Sequence, residues 1–204
     1  ISGGSDITAT LSGSDVSFSA PSNFNGSETF TVSVSDTDLT DSQSITVTVN
    51  AVNDAPVAAA DLSGSTNEDQ SVVVNLSGTD IDGDNLTFSL DTDAVSGSVV
   101  IDGTIATYTP TSNFNGDDSF SFIVSDGELT DTATVSLTIE AVNDAPVLAT
   151  VSDVSFDEDT SGSTSLSGSD IDGDDLTYSI SGGSDITATL SGSDVSFSAP
   201  SNFN

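Results

Sequence analysis

Asp80-Ile81-Asp82-Gly83-Asp84 sets three carboxylates at alternate positions, and Asp170-Ile171-Asp172-Gly173-Asp174 repeats the pattern 90 residues later. Three like charges so close repel one another unless a cation lies between them. Other acids and amides gather in short clusters: Asn53-Asp54 with its copy Asn143-Asp144, Glu68-Asp69 with Glu158-Asp159, and Asp126-Gly127-Glu128. The donors are all oxygen, with no His or Cys, which favours a hard ion such as Ca²⁺ over Zn²⁺ or copper. An EF-hand is the wrong template, because that loop wants Gly at its sixth position and Glu at its twelfth. Here Gly83 is fourth and Asp91 is twelfth. Acid-base catalysis is not expected: no His, Cys or Lys is present to act near neutral pH, and no Ser can pair with a His. Paired acids could cleave a glycoside, but these sit in turn sequences rather than facing a cleft.

The elements that must position these residues read as strands. Phe120, Phe122 and Val124 alternate with Ser119, Ser121 and Ile123, and Val135, Leu137 and Ile139 alternate with Thr134, Ser136 and Thr138. That period of two marks strands with one buried face. It recurs in 30–34 and 45–49, and more weakly in 86–90 and 105–108, while Asp126-Gly127, Asp102-Gly103 and Asn115-Gly116 supply turns. Six or seven short strands in about 90 residues predict an all-β chain built as seven-stranded Greek-key β-sandwiches of immunoglobulin-like type. In that topology the start of the first strand, the second-to-third loop and the last hairpin share one end. The reading places Glu68 before the first strand, so Asn53-Asp54, Glu68, the Asp80 loop and Asp126 are expected at one junction.

The chain is repetitive. Val52-Asn53-Asp54-Ala55-Pro56 returns as Val142-Asn143-Asp144-Ala145-Pro146, and Ser22-Asn23-Phe24-Asn25 returns at 112–115 and 201–204. The first 25 residues, Ile1 to Asn25, are identical to the last 25, Ile180 to Asn204, whereas copies 90 apart are only similar. A period must be recognised before local readings are trusted. It predicts a 179-residue pair of related domains, with 1–56 the C-terminal part of one repeat, 57–146 a complete repeat and 147–204 the N-terminal part of another. The chain is therefore expected to be a window of a longer polymer. Phe24 and Phe114 are expected to be core plugs rather than an aromatic binding patch.

The 204 residues hold 33 acids and no Lys, Arg or His, a formal charge of -33. Nucleic acid and anionic membranes are poor partners for such a surface. Without Cys there is no disulfide framework, and no apolar run approaches the roughly 20 residues of a membrane span. Strand periodicity argues against the disorder that high charge can signal.

The segment Leu76 to Ser89, with Asp80-Ile81-Asp82-Gly83-Asp84-Asn85 at its centre, is similar to the cadherin stretch A-x-D-x-D-x-G-x-N-x-x-x-Y-S. Val124-Ser125-Asp126-Gly127 and the Val142 to Pro146 linker resemble the end of a cadherin domain. With Asn23-Phe24-Asn25-Gly26, the set resembles the bacterial cadherin-like tandem repeats of large surface adhesins and RTX-type exoproteins. That resemblance implies calcium between successive domains. The first junction would use Asn53, Asp54, Glu68, Asp80, Asp82 and Asp126, with Asp84 or Asn85 in reserve. The second would use Asn143, Asp144, Glu158, Asp170 and Asp172, with Asp174 in reserve. Asp36 is the counterpart of Asp126 in the first segment. Ala51 and Ala141 replace the first acid of the cadherin linker and the D-R-E motif has no match, so one or two ions per junction are expected rather than three. The implied function is an extracellular, calcium-stiffened, non-catalytic spacer that projects a binding domain for cell adhesion. Its partners would be neighbouring repeats and other copies of the fibre, with any glycan or cell-surface receptor met through other domains. A filament subunit and a glycan- or ice-binding module are the alternatives.

Overall fold

The computed structural model describes residues 1–202; Phe203 and Asn204, the end of the third Ser-Asn-Phe-Asn copy, lie outside the described residues. The first segment forms β1 (Ser2–Gly3), β2 (Thr8–Ser12), β3 (Asp15–Ser19), β4 (Gly26–Ser35) and β5 (Thr40–Val49). The second forms β6 (Val57–Ala58), β7 (Leu62–Asn67), β8 (Val72–Asn75), β9 (Gly78–Thr79), β10 (Thr87–Thr92), β11 (Gly97–Asp102), β12 (Ile105–Pro110), β13 (Gly116–Ser125) and β14 (Thr130–Glu140). The third forms β15 (Val147–Leu148), β16 (Ser161–Ser165), β17 (Gly168–Ser169), β18 (Thr187–Ser191) and β19 (Asp194–Ser198). No helix occurs among the described residues, so none is long and apolar enough to cross a membrane.

The middle segment is an Ig-like sandwich. One sheet runs β10-β13-β14-β7 and the other β11-β12-β8, with the short β6-β9 pair at one end. Its core is the set that the alternation picks out: Phe120, Phe122, Val124, Val135, Leu137 and Ile139 are all buried. Each contributes roughly 1.5–3 kcal/mol relative to an exposed side chain. The β10 to β13 register sets Phe88 opposite Val124 and Leu90 opposite Phe122, and the rings of Phe88 and Phe122 lie 6.2 Å apart. Tyr108 from β12 completes the core and turns its hydroxyl to Asp118 Oδ2 at 3.0 Å.

The sequence reading missed β7. Leu62-Ser-Gly-Ser-Thr-Asn has one apolar residue in six, yet the strand pairs in the sheet with β14. Its inward position is Gly64, where an added Cβ would come 2.8 Å from Val74 Cγ2 and 3.3 Å from Leu137 Cδ2. The space a side chain would fill is taken by its neighbours, so this strand is packed without being hydrophobic.

By contact density the chain divides into two compact units. One comprises 1–64, 71–109 and 117–137; the other comprises 65–70, 110–116 and the residues from Thr138 onward.

Candidate metal centres

The first candidate centre lies within the unit that holds 53–54, 80–84 and 126. Asp80 Oδ1 accepts the backbone N–H of Asp82 at 2.9 Å, Gly83 at 3.0 Å and Asp84 at 3.2 Å, which folds the loop around that carboxylate. A positive φ of 82° at Gly83 makes the tight turn accessible. Carboxylate oxygens of Asp80, Asp82 and Asp84 all lie within 4.8 Å of one another. Asp80 Oδ2 is buried without a hydrogen-bond partner, the one such side-chain atom among the described residues. A buried carboxylate oxygen left so costs about 1–3 kcal/mol or more unless something binds it.

The linker at 50–56 has no regular structure and is tied to both loops. Asn53 Nδ2 donates to Asp126 Oδ2 at 2.8 Å, and the Asp54 amide donates to Asp82 Oδ2 at 2.8 Å. Asp126 Oδ1 accepts the amides of Leu129 and Glu128, both at 2.7 Å; these bonds and the one from Asn53 hold its carboxyl below the usual range. The structure therefore gathers Asn53, Asp54, Asp80, Asp82, Asp84 and Asp126. Asp36 makes the same turn, accepting from Leu39 and Asp38, and its carboxyl is likewise held low.

Glu68 does not join that group, which corrects the sequence placement. It follows β7 instead of preceding the first strand, and a six-residue strand spans about 20 Å. Glu68 is 4 % exposed; its amide donates to Glu140 O at 2.9 Å and its Oε1 accepts the Val142 amide at 2.5 Å. It belongs with the second centre. There the Asp144 amide donates to Asp172 Oδ2 at 2.7 Å, and Asp170 Oδ1 accepts the amides of Asp172 at 3.0 Å and Asp174 at 3.4 Å. Desolvation first, and then the charges of Asp172, Glu68, Asp69 and Asp170, push the Asp144 carboxyl above its ordinary value. Asn143 donates to Asp144 O at 3.0 Å.

Glu158, expected here, is exposed, unlike the buried Glu68. It occupies in the third segment the place Glu68 has in the second: Asp159 Oδ1 accepts the Asn202 amide, as Asp69 Oδ1 accepts the Asn113 amide. The physical reason is the same: Glu158 follows the counterpart of β7 in the 90-residue repeat.

Two residues outside the expected ligand set join the second centre, Asp69 from the Glu68-Asp69 cluster and Asn113. Asp69 Oδ1 accepts the Ser112 hydroxyl and the Asn113 amide. With its side-chain nitrogen turned inward, Asn113 donates to Asp69 Oδ2 at 3.2 Å and Asp144 Oδ2 at 3.3 Å. The sequence signal for Asn113 is the threefold Ser-Asn-Phe-Asn recurrence, which marks a turn and a Phe but does not by itself point to a ligand.

A separate carboxylate has a structural task. Asp118 accepts the amides of Ser119 at 2.8 Å, Ser96 at 2.9 Å and Val95 at 3.1 Å besides the Tyr108 hydroxyl, and although burial opposes ionisation these bonds hold its carboxyl low. Glu28 plays the same part in the first segment, accepting the amides of Ser5, Asp6 and Ile7, each at 2.9 Å.

Residues 53–138 match the family described as bacterial Ig domain. No curated protein matches. Among solved structures the chain is similar to Drosophila N-cadherin EC1-4, at 12% identity and a TM-score of 0.46, over 98% of this chain and 57% of that one. It is similar to human protocadherin-24 EC1-2, at 20% and 0.44, over 68% and 77%. It is also similar to an endo-fucoidan hydrolase of glycoside hydrolase family 107, at 17% and 0.39, over 98% and 34%. The chain thus spans about a third of that hydrolase's length. The family match falls on the middle segment, an Ig-like β-sandwich within a repetitive all-β chain.

Proposed function

We propose that both centres bind calcium and that the chain is a calcium-stiffened, non-catalytic spacer of an extracellular bacterial adhesin or surface fibre. The observation that carries this reading is Asp80: a carboxylate whose Oδ1 is saturated by three amides while its buried Oδ2 meets no donor. The chain has no basic side chain to meet it. A hard cation fits the donor set, which is oxygen throughout.

Asp80, Asp82 and Asp84 would hold an ion at the first centre, with Asn53, Asp54 and Asp126 supplying linker and hairpin oxygens. Glu68, Asp69, Asp144, Asp170 and Asp172 would hold one at the second, where Asn113 adds an amide oxygen if its side chain turns over. The bound ion supplies positive charge that cancels the repulsion among these carboxylates. What the protein contributes is placement: the Asp54-to-Asp82 and Asp144-to-Asp172 hydrogen bonds press each linker against an acidic loop. Without the cation those loops repel the linkers they hold, and the junctions bend; with it, neighbouring repeats share ligands and stiffen. Contacts restricted to neighbours suit a linear array.

Small-angle scattering on the 204-residue chain tests this. The expected result is a longer, stiffer particle in calcium than in chelator, with saturable calcium binding by calorimetry. Identical scattering curves and no saturable binding would sink it.

A further inference from the structure

We propose that Asp131 is a positioning residue of the first centre: it holds no ion itself but, through the backbone of Ala58, seats the linker so that the Asp54 amide and the Asp80 loop meet. The inference deepens the calcium reading above and rests on it only for the expected change in calcium affinity. The seating itself needs no ion.

Asp131 stands where the strand pattern calls for an apolar residue. The inward positions of β14 are 131, 133, 135, 137 and 139; Val135, Leu137 and Ile139 are buried, and Asp131 and Ala133 are half-buried. In the first segment the counterpart of Asp131, Asp41, lies directly opposite Val34, and the counterpart of Val34 is the fully buried Val124. Directly opposed residues of an antiparallel pair share a face. A carboxylate on the core side of a strand is costly unless its oxygens are bonded. Here Oδ2 accepts the Ala58 amide at 2.9 Å.

That bond clamps β6 from its open side. β6 pairs with β9, Val57 opposite Thr79 and Ala58 opposite Gly78, and the Ala59 amide continues toward that side by donating to Ser77 O at 2.9 Å. Successive amides of an extended chain point to opposite edges, so the Ala58 amide faces away from β9. Ala58 is buried, and a buried amide needs an acceptor. Asp131 is that acceptor. The other side has no slack: a Cβ at Gly78 would come 3.0 Å from Val57 O and 3.1 Å from Val124 Cγ2.

Both halves of the first centre hang from this clamp. β9 ends at Thr79, and Asp80 is the next residue. On the other strand Pro56 precedes β6 with its side chain fully buried, and Asp54 stands two positions earlier. From Asp54 to Ala58 the chain can span at most about 14 Å. Fixing Ala58 therefore limits where the Asp54 amide can go, and Asp82 Oδ2 receives it at 2.8 Å. The carboxylates grouped tightly enough for an ion are Asp80, Asp82 and Asp84, without Asp131. Its part is geometric.

Asp131→Ala removes the acceptor, and Asp131→Asn keeps one in the same place. Amide hydrogen exchange of the 204-residue chain in chelator, resolved at Asp54 and Ala58 by NMR, reads the seating directly. Exchange at both amides should be at least about tenfold faster in Asp131→Ala and near the native rate in Asp131→Asn. In calcium, calorimetric titration should find the first centre at least about fivefold weaker in Asp131→Ala and largely restored in Asp131→Asn. The core amides of Tyr108 and Phe122 are the control for general loosening. Unchanged exchange at Asp54, an equal rise at Tyr108 and Phe122, or an Asp131→Asn chain as impaired as Asp131→Ala overturns the proposal. So does a native chain that binds calcium with an affinity Asp131→Ala leaves unchanged. If the two linker amides respond as stated while the native chain binds no calcium, the seating stands and the calcium reading falls.

Discussion

The Asp54 amide sits 2.8 Å from Asp82 Oδ2, and 90 residues later the Asp144 amide sits 2.7 Å from Asp172 Oδ2. In each repeat the linker and the acidic loop, 28 residues apart, meet through one backbone donor. Asp82→Ala removes that acceptor and one of the three clustered carboxylates. The expected outcome is a loss of calcium affinity at the first centre of at least about tenfold, or roughly 1.4 kcal/mol. Calorimetric titration checks it, and an unchanged isotherm would refute the assignment.

Glu68 is assigned by the structure to the second centre, so its variants should couple to Asp172 and not to Asp82. Glu68→Gln combined with Asp82→Ala should lose calcium affinity additively, to within about 0.5 kcal/mol. Combined with Asp172→Ala it should lose less than the sum. The reverse pattern would return Glu68 to the first junction.

Asn113→Asp separates two roles for that side chain. As an oxygen ligand it should bind calcium more tightly as Asp and lose stability in chelator, through repulsion by Asp69 and Asp144. A purely hydrogen-bonding Asn113 predicts weaker folding in both conditions, with no gain in affinity.

The pH response in chelator has a definite sign. The amides of Asp6 and Ser5, then the Ser5 hydroxyl, lower the Glu28 carboxyl from 4.5 to about 2. A carboxylate lowered in the folded state stabilises it above its unfolded value, and that contribution disappears as pH falls through the folded value. Thermal melts of the native chain and of Glu28→Gln should therefore differ most near pH 7 and converge between roughly pH 4 and pH 2. A gap that persists undiminished at the acid end would mean that ionisation is not the source.

Gly97→Ala tests the Tyr108 anchor. An added Cβ would lie 2.3 Å from Tyr108 Cε2 and 2.6 Å from Thr109 O, so the ring or the strand must shift. The expected cost is about 1–3 kcal/mol, read as a lower denaturation midpoint with an unchanged slope. The first segment reaches the same end with different volumes, Ile7 in place of Gly97 and Phe18 in place of Tyr108.

Local order was legible because its causes are local. Alternation at Phe120 to Val124 and at Val135 to Ile139 reports one buried face whatever lies opposite, and the 90-residue recurrence locates each linker. The Asp80, Asp82 and Asp84 cluster was legible for the same reason: five consecutive residues bring their own oxygens together. What tertiary structure alone decided is where distant residues end. Glu68 belongs to the far linker because β7, hidden from any hydrophobic pattern by Gly64, carries the chain the length of the domain before the acid appears. Asn113 and Asp69 meet Asp144 because the loop before β13 comes back to the end of β7, and no spacing in the sequence encodes that return. Whether a carboxylate is satisfied is likewise a three-dimensional fact. The residue types set the charge of these centres, but only packing left Asp80 Oδ2 buried without a donor.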